Sequence, residues 1–181
     1  MWRRFLWENL EMVLIALLIV IPVRSFVIQP FIVHGSSMEP NFYSQDYLVI
    51  DELSYKFKLR TPQRYEVIVF RAPNFPSQFY IKRIIGLPGE TVEISNGKVF
   101  IIDKNNQKVV LKENYLPPST VTSGHLTIHL EDNQYFVLGD NRSASYDSRN
   151  WGPVDRNLII GRVWLRLWPP ERIRAFNYSP S

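Results

Sequence analysis

Side chains that alternate with a period of two are the feature that most limits what this chain can fold into. From residue 26 onward, β-branched and aromatic residues recur at every second position over short runs, which is typical of strands. The clearest of these runs are residues 27–33, 47–51, 66–70 and 135–138. No later stretch keeps a helical period for ten residues or more, so the sequence predicts an all-β fold.

Asn96 and Gly97 separate two such runs, residues 92–95 and 98–102. An Asn-Gly pair supplies the positive φ angles that a two-residue hairpin turn needs, so a tight β-hairpin is predicted here. Thirteen prolines and eight glycines interrupt the chain. No repeat with a period of 20 to 50 residues is present, which argues against solenoids and propellers.

The amino-terminal segment predicts a membrane anchor. Residues 12–23 are uncharged and mostly aliphatic, but at about 1.5 Å per residue they are too short to cross a hydrocarbon core of roughly 30 Å. Apolar residues on both flanks extend the segment, and Glu11 and Arg24 lie near its ends, where charged groups reach the interface. A cleavable secretory signal is the alternative, but the small-x-small pattern of a cleavage site is missing. We therefore expect one transmembrane helix within residues 1–28.

The charges around this segment predict its orientation. Arg3 and Arg4 precede the apolar run and only Arg24 follows it closely, so the positive-inside rule places the amino terminus in the cytoplasm. A β domain over residues 29–175 is then expected on the extracytoplasmic face of the plasma membrane, followed by a short tail, residues 176–181.

Composition narrows the possible chemistry. The formal net charge of +4 suits a protein beside anionic lipid, whereas the scattered lysines form no basic stripe for nucleic acid. The absence of cysteine excludes thiol catalysis and thiolate metal sites. Neither His34 nor any other histidine comes with an aspartate in a recognisable triad. His125 and His129 alternate on one predicted strand, but no third metal ligand accompanies them.

A serine and a lysine are the candidates for catalysis. Ser37 follows a strand-like run and Gly35, where a hydroxyl would lie beside open backbone amides, although an ordinary turn gives the same pattern. A serine nucleophile needs a base. Lys82 lies in an alternating run that points Tyr80, Lys82 and Ile84 to one face. It is either a solvent-facing charge or a buried amine whose pKa is lowered by desolvation.

Three stretches resemble the signature boxes of type I signal peptidases and occur in the family's order. They are Gly-Ser-Ser-Met-Glu-Pro at 35–40, Tyr-Ile-Lys-Arg-Ile-Ile-Gly-Leu-Pro-Gly-Glu at 80–90 and Gly-Asp-Asn-Arg-Ser-Ala-Ser-Tyr-Asp-Ser-Arg at 139–149. The resemblance covers residues 1 to about 170. It implies a signal-peptidase-like antiparallel β-barrel or folded-ribbon domain, preceded by one transmembrane helix. The implied activity is that of a membrane-bound serine endopeptidase that removes signal peptides from exported preproteins.

The resemblance also implies roles for individual residues. Ser37 is the nucleophile of an acyl-enzyme route, Lys82 is its general base, and Ser145 orients the lysine amine. The Ser37 amide is one oxyanion donor, and a backbone amide substitutes for the serine that some members carry at the position of Gly35. The family cleaves after Ala-x-Ala-like sites, and the residues expected to line the corresponding pockets are Phe31, Val33, Met38, Tyr80 and Ile81. Ion pairs that support the strands are expected from Arg83, Asp140, Arg142, Asp147 and Arg149.

The implied partners are preprotein signal peptides, membrane lipid and, functionally, the secretion translocon. A monomer without metal or cofactor is expected. Two positions depart from the family, because residues 64–66 read Arg-Tyr-Glu where Arg-Gly-Asp is common and Asn41 replaces a frequent threonine. Both departures concern local turn geometry.

Two other functions fit parts of the sequence. A self-cleaving repressor-like protease shares the Ser/Lys logic, but it should begin with a DNA-binding helical module rather than an apolar segment. A catalytically silent, membrane-anchored β domain that binds exported chains would keep the same anchor. Trp164 and Trp168 either reach the membrane interface or pack on the β domain.

Overall fold

The computed structural model describes Met12, Leu14 and residues 29–178. The predicted anchor and its orientation therefore lie outside the described residues, apart from Met12 and Leu14, which are helical. Within the described part of the chain, no helix is long and apolar enough to cross a membrane.

Twelve strands are the main secondary structure of the described residues, and every strand pair is antiparallel. The strands are β1 (Gln29–Ile32), β2 (Tyr47–Asp51), β3 (Val67–Ala72), β4 (Phe75–Gly86), β5 (Thr91–Ser95), β6 (Lys98–Ile102), β7 (Lys108–Val110), β8 (Leu126–His129), β9 (Gln134–Leu138), β10 (Val154–Asp155), β11 (Ile159–Trp168) and β12 (Arg174–Ala175). Short helices are α1 (Leu53–Lys56) and α2 (Ser148–Trp151), with single 3₁₀ turns at Arg156–Leu158 and Pro170–Arg172. The predominantly β fold predicted from the sequence is confirmed.

The strands form two sheets. The larger has the order β1-β2-β11-β3-β4-β9-β10, with β12 beside β11, and the smaller has the order β7-β6-β5-β8. A core cluster that contains Ile85 and Phe136 of the larger sheet and Val92 and Ile101 of the smaller one joins them.

The predicted hairpin is confirmed as β5–β6. Asn96 and Gly97 both have positive φ angles, 51° and 76°, and Ser95 pairs with Lys98 across the turn. The strand at 47–51 also has its predicted bounds, whereas the strand predicted at 66–70 is shifted and occupies Val67–Ala72. The shift has a physical reason, since the Glu66 side chain accepts hydrogen bonds from the loop before β3.

The first strand is shorter than predicted and ends at Ile32. Val33 leaves the strand because its amide and carbonyl bond the loop before β2, with Val33 N donating to Asp46 O at 3.0 Å and Gln45 N donating to Val33 O at 2.8 Å. This exit turns the chain into the segment that carries Ser37.

Residues near the carboxyl end pack on the domain. Phe176 and Tyr178 contact the core cluster around Val33 and Phe42, and the rings of Phe42 and Phe176 stack with centroids 4.9 Å apart. These two residues of the predicted tail therefore contact the β domain. Trp164 and Trp168 are 47% and 53% exposed.

Candidate active site

Ser37 and Lys82 meet although 45 residues separate them in the chain. Lys82 Nζ lies 2.8 Å from Ser37 Oγ. Ser37 lies in the turn after β1, and Lys82 lies on β4. The turn is held by Met38 and Phe42, which are fully buried, and Phe42 N donates to Met38 O at 2.9 Å.

Burial determines the protonation of Lys82. Its side chain is nearly inaccessible to water, and desolvation lowers its pKa from 10.5 to about 8, while Asp147 and Asp140 oppose the shift. A pKa near 8 leaves about a tenth of the amine neutral at pH 7, against roughly one part in two thousand for a free lysine. Lys82 Nζ also donates to Ile81 O at 2.9 Å. The amine is thus oriented and able to act as a base near neutral pH.

The segment between β9 and α2 holds the carbonyl groups beside the serine. Asn141 N donates to Ser37 O at 3.0 Å, and Asn141 Nδ2 donates to Ser36 O at 3.2 Å. Gly139 packs so closely that an added Cβ would clash with Ser37 O and with the Ser145 side chain. These contacts fix the carbonyl side of the Ser36 and Ser37 peptides. Among the described residues, no acceptor bonds the Ser37 amide.

Ser145 lies in this segment but does not form a hydrogen bond with Lys82. Its hydroxyl oxygen is buried, and within the described residues it has no hydrogen-bond partner. The side chain packs against Gly139, where an added Cβ would clash with the Ser145 hydroxyl. The bond between Ser145 and the lysine amine that was expected from the sequence is therefore not formed in this structure.

An apolar groove of about 380 Å³ opens beside Ser37 and Lys82. Of the five residues expected to line a substrate pocket, Phe31, Val33, Tyr80 and Ile81 lie in its wall. The fifth, Met38, is instead 1% exposed and packs in the core beneath the Ser37 turn. Its side chain is directed inward because it anchors that turn. Other residues lining the groove, which sequence reasoning missed, are Ile32, His34, Leu48, Val69, Phe79, Ala144 and Tyr146.

The buried pair of Arg83 and Asp140 joins β4 to the segment after β9. Arg83 Nε and Nη2 donate to the two Asp140 carboxylate oxygens at 2.8 and 2.6 Å. Asn41, one of the two departures noted in the sequence, donates from Nδ2 to Asp140 Oδ2 at 2.8 Å and to Tyr115 O at 2.9 Å. The turn that carries Ser37 is thereby tied to the same carboxylate.

The other three charged residues expected to give support, which lie in or next to the segment between β9 and α2, also form ion pairs. Arg142 donates to Gly139 O at 3.0 Å and pairs with Glu113. Arg149 Nε contacts Asp147 Oδ1 at 2.8 Å, and Asp147 Oδ2 accepts from Gly139 N at 3.1 Å. Asp147 also caps the amino end of α2. Glu113 and Asn141 were not singled out from the sequence, although Asn141 lies inside the third box.

None of the histidines forms a hydrogen bond with Ser37 or Lys82 among the described residues. His34 lines the groove, and His129 Nδ1 lies 3.0 Å from Thr91 Oγ1. The described residues contain no group of three His, Cys, Asp or Glu side chains placed to hold a metal ion.

Comparisons with known proteins indicate one family. Residues 6–168 match the model of the family described as signal peptidase, peptidase S26. The chain is 42% identical to a probable signal peptidase I-2 of Synechocystis sp., over 87% of this chain and 71% of that protein. It is 36% identical to a signal peptidase I of Bacillus caldolyticus, over 97% and 95% of the two chains.

A solved structure of a signal peptidase I from Enterococcus faecalis is 33% identical, covers 57% of this chain and 97% of its own, and gives a TM-score of 0.48. The family match spans most of the chain, and these relatives and a signal peptidase I of Leptolyngbya laminosa align over 71% to 95% of their own length. The chain therefore belongs to the signal peptidase family, peptidase S26, and is a serine endopeptidase that acts on the signal peptides of preproteins.

Proposed function

We propose that the chain cleaves signal peptides from exported preproteins with a Ser37–Lys82 dyad, through an acyl-enzyme intermediate and after an Ala-x-Ala-like site. The observation that carries this proposal is the 2.8 Å contact between Lys82 Nζ and Ser37 Oγ beside an apolar groove. The distance is within the range of a hydrogen bond between a nucleophile and its base.

Each proton transfer in the proposed route is assigned to Lys82. The neutral amine takes the Ser37 proton as Oγ attacks the scissile carbonyl carbon. The resulting ammonium then gives that proton to the leaving amine, and the acyl-enzyme remains on Ser37. Lys82 next removes a proton from water, which attacks the ester, and returns it to Ser37 Oγ. The route uses no metal or cofactor.

Ser145 completes the hydrogen bonds of the amine in this proposal. A neutral lysine has two N–H donors and one lone pair, and the lone pair must face Ser37 for the first step. One donor is satisfied by Ile81 O, so the other needs a buried acceptor. Ser145 Oγ is a buried oxygen without a partner among the described residues. A rotation of its side chain toward Lys82 would make it a positioning residue.

Stabilisation of the oxyanion is assigned to backbone amides. The Ser37 amide is one donor, since its neighbouring carbonyls are fixed by Asn141 and the amide itself is unpaired in the described chain. A second amide near Gly35 is proposed, because Gly35 has a φ of 85° and its α-carbon faces open space. Each such donor lowers a barrier by about 3 to 4 kcal/mol.

The proposed substrate binds as an extended chain between two strand edges. β1 is an edge strand, and the half of β4 before Lys82 is bonded on one side only, by β3. Phe31 and Phe79 approach edge to face from these two strands, with centroids 5.7 Å apart. Because the rings narrow the groove, small side chains at the first and third positions before the cut are favoured.

The arrangement relative to the membrane is also part of the proposal. Residues 1–28 form a single anchor with a cytoplasmic amino terminus, and residues 29–175 form a folded-ribbon catalytic domain on the extracytoplasmic face of the plasma membrane. Residues 176–181 follow as the tail. Ser37 follows Gln29 by eight residues, so the nucleophile lies within about 30 Å of the lipid. The enzyme acts as a monomer in functional connection with the secretion translocon.

The test uses the purified full-length protein in detergent with a preprotein that carries an Ala-x-Ala site. Mass spectrometry identifies the cut made by the wild type and by Ser37→Ala, Lys82→Ala and Ser36→Ala. The wild type and the control Ser36→Ala are expected to cut after the second alanine, whereas the other two lose at least about 1,000-fold in rate. Activity that survives in Lys82→Ala would refute the dyad, and an inactive wild type that still binds the preprotein would favour a silent binding domain.

A further inference from the structure

The segment of residues 56–60 exposes large apolar side chains between basic ones. Phe57 is 63% and Leu59 is 76% exposed, which makes Leu59 one of the most exposed large apolar residues in the described chain. Lys56, Lys58 and Arg60 alternate with them. A single exposed apolar residue is common on soluble proteins, but alternation of exposed apolar and cationic side chains is typical of a surface that meets anionic lipid.

Topology places this segment at the end of the domain where the chain would leave the membrane. β1 begins at Gln29, directly after the proposed anchor, and pairs antiparallel with β2 so that Gln29 lies opposite Ile50. β2 therefore returns toward the start of β1, and α1 and the 56–60 segment follow. Asp51, Glu52 and the four residues of α1 separate Ile50 from Phe57, which keeps Phe57 within roughly 25 Å of Gln29.

The turn between β3 and β4 lies at the same end of the sheet. Arg162 on β11 lies opposite both Asp51 at the end of β2 and Ile68 near the start of β3, so β3 continues in the same direction for four residues past the end of β2. Phe75, which follows this turn as the first residue of β4, is 52% exposed, and Arg71 donates from Nη1 to Pro76 O at 3.3 Å. A second exposed aromatic residue thus lies near an arginine at this end.

A wide cavity of about 1030 Å³ next to the segment is lined by more basic than acidic side chains. Its charged lining residues are Lys56, Lys58, Arg60, Arg71 and Arg156, opposed by Glu52 and Asp132. Arg60 also pairs with the buried Glu66. Basic residues remain in excess, and this charge complements phosphate-bearing headgroups.

We propose that the 56–60 segment is a second membrane contact, which docks on anionic lipid headgroups. Phe57 and Leu59 enter the interface, while Lys56 and Lys58 contact the phosphates. The inference rests on the proposed anchor at residues 1–28. Two points of attachment, unlike one, fix the tilt of the β domain and hence the height of the groove above the bilayer.

The lack of cysteine in the sequence allows a direct test with one introduced thiol. The full-length chain with Leu59→Cys carries an environment-sensitive fluorophore and is reconstituted in vesicles with equal amounts of phosphatidylcholine and phosphatidylglycerol. Val121→Cys is the matched control, since Val121 is 64% exposed and contacts the β5–β6 turn of the smaller sheet. Quenching by spin-labelled lipid should be several-fold stronger at residue 59 than at residue 121.

The quenching at residue 59 should fall toward the control level in neutral vesicles and in molar salt. It should also fall when Lys56→Gln or Lys58→Gln is added to the labelled variant. Cleavage of a soluble peptide in detergent by Lys56→Gln and Lys58→Gln should stay at the wild-type rate. Equal quenching at residues 59 and 121 in anionic vesicles that the protein enters would overturn the second contact alone. A wild type that fails to float with any vesicles would overturn the anchor and this inference together, and peptide cleavage would still test the dyad separately.

Discussion

Burial of Lys82 has opposite effects on stability and on activity. The folded protein lowers the pKa of this amine to about 8, whereas the unfolded chain restores a value near 10.5. Between these two pKa values the unfolded chain binds more protons than the folded one, so the free energy of unfolding rises with pH across this window. Below pH 8 the folded protein bears the full cost of burying the charged amine. The same shift provides the neutral amine that the proposed chemistry needs.

Replacing the lysine should therefore stabilise the inactive protein. A difference of about 2.5 pKa units corresponds to about 3 kcal/mol, so Lys82→Met is expected to raise the free energy of unfolding at pH 7 by up to that amount. Urea titrations of wild type and variant at pH 7 and pH 10 measure it. The gain should shrink at the higher pH, and a gain that is independent of pH would show that burial of the charge is not its source.

Ser145 offers a test of the proposed hydrogen bonding around the amine. If Ser145 Oγ accepts the second N–H of neutral Lys82, Ser145→Ala leaves a buried donor unpaired, which costs about 1 to 3 kcal/mol. We expect kcat to fall by about 10- to 100-fold with little change in KM. Ser143→Ala is the control, because Ser143 is exposed and bonds Asn141 Oδ1 at 3.1 Å. Equal rates for both variants would exclude the positioning role.

At the scale of elements, the segment from Gly139 to α2 joins the dyad to the rest of the larger sheet. Asp140 pairs with Arg83 on β4, and both side chains are almost fully buried. Removing one partner leaves a buried charge uncompensated, and losses of about 3 to 5 kcal/mol are typical.

We therefore expect Asp140→Asn to lower the free energy of unfolding by an amount in that range, measured by urea denaturation at pH 7. Glu93→Gln is the matched control, since Glu93 pairs with Lys108 on the surface of the smaller sheet and a surface pair contributes little. Similar losses from both variants would contradict the supporting role of the Arg83–Asp140 pair.

Sequence patterns predicted strands and turns best where the residue types at a position determine the backbone conformation there. The β5–β6 hairpin follows from Asn96 and Gly97, because these residues tolerate the positive φ angles of the turn. The beginning of β4 was not predicted, since Pro76 lies within it and proline usually interrupts a strand. It is tolerated there because the strand is open on one side.

For the molecule as a whole, the sequence predicted the polar and charged residues of the site only where they lie in the three signature boxes. The boxes identified Ser37 and Lys82 through a resemblance, while their 2.8 Å contact depends on the pairing of distant strands. Asn41 reaches Tyr115 and Asn141 reaches Ser36 across 74 and 105 residues of sequence. No local pattern encodes such contacts, and the inward direction of Met38 likewise depends on the completed core.

The pH dependence of kcat/KM for a soluble Ala-x-Ala peptide tests the central claim most directly. Because only neutral Lys82 accepts the Ser37 proton, activity should rise with pH through an apparent pKa of about 8, the value that burial gives this amine. Asp147 raises the pKa of Lys82, so a folded Asp147→Asn variant should shift the rise to lower pH. A rate that does not change between about pH 6 and pH 10, or a rise centred near the usual histidine value of about 6.5, would contradict Lys82 as the base.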